Sequence, residues 1–120
     1  DNEAEEPDNE AEEPDNEAAP VPANVQQELE ILQYQIRLER AYLEQAVFDL
    51  GCSTTGERRI RDQIHELEDR EELDREEMNQ RANLYICLAV TIKNQTMLRY
   101  NIAATNDCIW SLQQRISLLG

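Results

Sequence analysis

Glycine and proline are scarce in this chain, and between Glu57 and Leu119 there is neither. That excludes glycine-rich phosphate loops from 63 consecutive residues, and it points to one very long helix or two helices end to end. Aromatic residues are few: Tyr34, Tyr42, Phe48, Tyr85, Tyr100 and Trp110. A compact enzyme uses more large side chains to wall a pocket, whereas a thin helical assembly fills its seam with Leu and Ile. Strand-like alternation is missing, which argues against an α/β fold.

Metal-binding and catalytic spacings are also missing. Cys52, Cys87 and Cys108 form no CxxC or CxxH pair, and His65 has no cysteine nearby. A zinc site is therefore not expected. Asp62-x-x-His65 occurs once with no counterpart in the preceding helix, so a di-metal bundle is not expected either. Neither GxSxG nor HExxH is present, and no cofactor is implied. The face carrying Asp62, His65 and Asp69 is highly charged, which makes His65 a surface residue. Asn94-Gln95-Thr96 matches a glycosylation acceptor only by chance, being inside a predicted helix. Three widely spaced thiols suit a reducing intracellular compartment, cytoplasmic or nuclear. The sequence opens on Asp1 rather than methionine, as expected of a fragment or a processed product. The most apolar run, Leu84 to Ile92, is far short of the roughly 20 residues a membrane span needs.

Basic residues are absent from the first twenty positions, which hold ten carboxylates. This segment reads DNEAEEP, DNEAEEP, DNEAAP. Each unit ends in proline and none has two apolar seam residues, so the period of seven is not a coiled-coil heptad. Residues 1–23 are expected to be a disordered acidic tail. Of the 26 acids and 11 bases in the chain, 16 acids and all the bases lie beyond it, leaving a net −5 of the total −15. Direct binding to nucleic acid is disfavoured; a basic protein surface suits the tail better.

Residues 24–120 are expected to form one all-α domain. The predicted fold is an antiparallel helical hairpin continuing into a long C-terminal coiled-coil helix. Its first helix spans Asn24 to Leu50, with Asn24 as cap and Val25, Leu29, Leu32, Ile36, Leu43, Ala46 and Leu50 at alternating steps. Glu39 interrupts that seam, and Ile31, Leu38 and Tyr42 make a second strip beside it. Gly51 to Gly56 is expected to be the loop, with Thr54 and Glu57 as a capping box.

The second helix then carries Ile60, Ile64 and Leu67. From Glu68 to Glu77 it reads EDREELDREE, with Leu73 the one apolar residue and room for a local kink. Acid-before-base pairs Glu57–Arg61, Glu66–Arg70, Glu71–Arg75 and Glu77–Arg81 would keep it helical. Arg58, Arg59 and Arg61 make the one basic cluster, read as a solvated helix start. The seam resumes at Met78, Tyr85, Leu88 and Ile92. It shifts register between Gln95 and Leu98, as a stammer, and continues through Leu98, Ile102, Ile109, Leu112, Ile116 and Leu119. Ile at a and Leu at d favour a parallel two-stranded coil. The alternative is a three-helix bundle with a break near 101–107, since Thr105-Asn106-Asp107 prefers caps to helix interiors.

A helix from Glu57 to Leu119 would be roughly 95 Å long, of which the first helix covers about 40 Å. The uncovered seam is the expected partner-binding surface: Leu88, Ile92, Leu98, Ile102, Ile109, Trp110, Leu112, Ile116 and Leu119. Glu39 and Gln95, polar in the seams, would fix register or oligomer state. Cys52 is expected in an exposed loop, Cys87 and Cys108 as small packed hydrophobes.

The leading functional reading is a non-enzymatic structural or adaptor protein, binding copies of itself or another helical subunit. A second is a binding module whose acidic tail engages a basic, histone-like partner. A third is a small all-helical enzyme with an intersubunit pocket, marked by a buried Arg and Glu cluster. The second reading predicts that deleting Asp1–Pro20 abolishes binding to such a partner, with steep salt dependence in the intact chain. Equal binding after deletion, measured by titration at two salt concentrations, overturns it.

Overall fold

The computed structural model describes Pro22 to Gly120, and it is all-helical there. The acidic repeat, with its expected disorder, lies outside the described residues. Two helices fill the described chain: α1, Ala23–Glu68, and α2, Arg75–Leu119. At about 1.5 Å per residue each is roughly 69 Å long. They pack antiparallel. Glu28 lies 3.8 Å from Arg115 at the open end, and the Tyr85 hydroxyl donates to Glu68 at 2.5 Å beside the turn.

The chain reverses at Asp69–Asp74, within the charged stretch, and α1 continues unbroken through Gly51 to Gly56. This corrects the expected loop, and the reason is burial. The half-buried and buried positions of α1 step by threes and fours without a gap through Leu43, Ala46, Leu50, Ser53, Glu57, Ile60, Ile64 and Leu67. Turning at Gly51 would have thrown Ile60, Ile64 and Leu67 out of that line. Two helical glycines cost about 1 kcal/mol each, less than exposing three aliphatic side chains. Thr54 and Thr55 donate their hydroxyls back to the Leu50 and Gly51 carbonyls, so both stay inside a helical turn. The segment from Asp69 to Asp74 has only Leu73 to bury, and a turn there sacrifices little.

Capping follows the same correction. The box is Asp74 and Glu77, not Thr54 and Glu57: Glu77 N–H donates to the Asp74 carboxylate at 2.8 Å, and Asp74 N–H to the Glu77 carboxylate at 3.0 Å. Arg70 leaves the helix and pairs with Glu77 across the turn rather than with Glu66. The expected Glu57–Arg61 pair is present at 2.7 Å. At the other end Asn24 is inside the first turn, and Pro22 holds the cap position, its carbonyl accepting from Gln26 N–H at 2.9 Å.

In α2 the covered line is Arg81, Leu84, Leu88, Thr91, Gln95, Leu98, Ile102, Thr105, Ile109, Leu112, Ile116 and Leu119, in strict steps of three and four. No stammer interrupts it. Met78, Tyr85 and Ile92 flank the line instead of occupying it. Nor does the helix break at 101–107: Thr105 is a buried seam residue. Leu32, Ile36, Ile109 and Leu112 form a buried cluster, with Leu43, Ile116 and Leu119 against it. The Ile/Leu series thus meets α1 of its own chain, antiparallel.

Gly51 and Gly56 provide a decisive check. Neither has an atom within 4 Å of an added Cβ. Gly51→Ala and Gly56→Ala are each expected to raise stability by about 0.5–1 kcal/mol in urea unfolding. A left-handed loop glycine at Gly51 would give the opposite sign.

Candidate interaction surface

Two lines of side chains close the helix pair, and what they leave outside is unusually apolar. Of the residues expected to bind a partner, Leu88, Ile109 and Leu112 are buried against α1, and Leu98, Ile102, Ile116 and Leu119 are half-buried there. Only Ile92 and Trp110 stay open to solvent, Trp110 at 62%. The uncovered surface has moved to the other sides of the helices. On α2 it includes Ile86, Val90, Met97, Tyr100 and Leu118, with Tyr100 at 81% exposure. On α1 it includes Ile31, Tyr34, Leu38, Tyr42, Val47 and Phe48. Ile31, Leu38 and Tyr42 are the strip legible beside the first seam. The α2 set was obscured in the sequence because its seam and its outer face are both apolar, and no periodic contrast separates them.

Charge is correspondingly thin. Between Ala82 and Gln114 only Lys93, Arg99 and Asp107 are ionised. Cys52, Cys87 and Cys108 are free and exposed, against the expectation that Cys87 and Cys108 pack inward. Gln35, Leu38, Cys108 and Arg115 line one shallow cleft between the helices. His65 is exposed on α1. Among the described residues no group of three or more His, Cys, Asp or Glu side chains is placed to hold a metal. No described helix is long and apolar enough to cross a membrane.

The polar seam residues have distinct roles. Gln95, only 3% exposed, donates from Nε2 to a Glu57 carboxylate oxygen at 2.9 Å, and Arg61 Nε donates to the other at 2.7 Å. A buried amide with one partner across the interface penalises any slip of the two helices, because a slip strands it. Glu39 is half-buried in the α1 line. The Arg61 hydrogen bond first, and the Gln95 one second, hold the Glu57 carboxyl below its ordinary range. The Glu68 carboxylate, accepting from Tyr85, pushes that phenol above its ordinary value.

The Glu57 shift has a definite sign. A depressed carboxyl contributes stability above its unfolded pKa and loses it as pH falls through the folded value. Urea midpoints measured from pH 7 down to 3 should therefore fall further for the parent chain than for Glu57→Gln. Parallel curves would show that the Arg61 and Gln95 contacts do not favour the charged form. Compared with protein-family models, curated proteins and solved structures, the chain matches none of them.

Proposed function

We propose that this chain is a non-enzymatic assembly subunit, built as an antiparallel two-stranded coiled-coil hairpin. Its outer apolar surface would be covered by helices of a neighbouring subunit, either a copy of itself or a second helical protein. The observation that carries this reading is the character of α2. Besides its seam it carries large apolar side chains outside, Ile86, Val90, Met97, Tyr100, Trp110 and Leu118, and α1 covers only one of its sides. Met97 and Trp110 resemble the anchors that interfaces favour, and low charge is the mark of an interface core.

In this reading the seam series from Leu88 to Leu119 holds the subunit together, while Ile92 and Trp110 stay outside the seam. The acidic repeat would give the assembly ten carboxylates per subunit for a basic partner. The role is architectural: the ionised groups of the helix pair serve caps, turn pairs and register.

Light scattering across a concentration series tests this, on the full chain and on residues 21–120. Both are expected to exceed the 14.0 kDa mass of the single full chain in the micromolar range. Monomeric mass for both at every concentration would overturn self-assembly.

A further inference from the structure

The two helices leave two broad sides, and they differ in charge. The Glu28–Arg115 pair and the cleft of Gln35, Leu38 and Cys108 mark one side; the Tyr85–Glu68 hydrogen bond marks the other. On the first, the outward positions run from Ile31 to Gly56 on α1 and from Asn83 to Ser111 on α2. These 17 residues include one charge, Asp49. The equivalent 17 positions on the second side include five: Arg37, Arg40, Glu44, Arg58 and Arg99. All three exposed cysteines lie on the first side. Free cysteine is among the residues most often buried, so three on one charge-poor face point to a face that is covered.

We propose that this face docks a second copy of the chain, antiparallel to the first. The inference rests on the assembly reading above and names its partner and its geometry. Three observations select the occupant. The chain has a net charge of −15, so two copies meet at least cost through the face that carries fewest carboxylates, and this one carries Asp49 alone. A basic partner would instead be met by carboxylates, and here there is only Asp49. The area is also sufficient. The face is roughly 40 Å long and about 20 Å wide, about the 800 Å² that each partner contributes to a standard interface.

The acidic repeat selects the orientation. Its ten carboxylates join α1 at the open end. A parallel dimer would set two such segments side by side. An antiparallel one separates their attachment points by roughly 70 Å, many Debye lengths at physiological salt. A two-fold axis near Met97 makes the contact self-complementary: Cys87 and Cys108 lie ten or eleven residues to either side, so each faces the other type across the axis, and the two Asp49 side chains near the axis are the one like-charge pair the contact must accommodate.

The test is the molar mass of the full chain by light scattering. The parent chain should reach twice 14.0 kDa, and the double variant Leu38→Glu, Met97→Glu should remain at the single mass with its helical circular dichroism kept. Val47→Glu and Ala89→Glu, on the other side, should dimerise as the parent does. Should the double variant lose helicity, maleimide labelling of the parent decides: thiol reaction should slow at least ten-fold from dilute to concentrated protein. Deleting residues 1–20 should tighten the dimer less than ten-fold. A folded double variant that still dimerises overturns this face but leaves assembly standing. A parent chain monomeric throughout overturns both this face and self-assembly. Tightening of more than ten-fold on tail deletion overturns the antiparallel seating, and a thiol rate independent of concentration overturns burial of the face.

Discussion

One line of burial on each helix decides where everything else goes. Each line repeats every seven residues, and the two match in length because the chain turns midway between them. The position of the turn, the fate of the glycines and the identity of the free surface all follow from keeping both lines covered. Local preferences yield wherever they conflict with it. Gly51 and Gly56 are helical, Thr105 is buried mid-helix, and Asp74 rather than Thr54 caps the second helix.

How much of this was legible in the sequence depends on which force left a local mark. The all-helical class was legible, and so were the seam residues Leu29, Leu32, Ile36, Ile109 and Leu112, because apolar side chains at helical spacing leave a direct trace. The turn was misplaced because glycine is a strong local signal, whereas the absence of anything to bury in EDREELDREE is a weak one. Weighed as energies, the order reverses: two glycines cost about 2 kcal/mol together, and three exposed aliphatic residues cost more.

The contact surface was harder to read. The expected seam takes Tyr85 and Ile92 where Leu84 and Thr91 belong, and the step from Ile92 creates a stammer that the helix does not have. On a helix with large apolar side chains both in its seam and outside it, hydrophobicity cannot identify the inner side. Only the partner helix does that, and once α1 is placed against α2 the exposed set changes from the Ile/Leu series to residues such as Val90, Met97 and Tyr100. The polar pair Gln95 and Glu57 was legible as a register device in part, since Gln95 stood out in the seam while Glu57 was read as a helix start.

The turn at Asp69–Asp74 also sets the order in which the molecule closes. Contacts beside it span few residues: Tyr85 and Glu68 are 17 apart in sequence. Leu32 and Leu112, at the open end, are separated by most of the described chain. Loop-closure entropy rises with that separation, so the helices zip from the turn outward and the open end joins last. The buried cluster of Leu32, Ile36, Ile109 and Leu112 sits at that last-closing end. It therefore acts as the clasp of the zipper: fraying that reaches past it opens the pair where closure is entropically most costly.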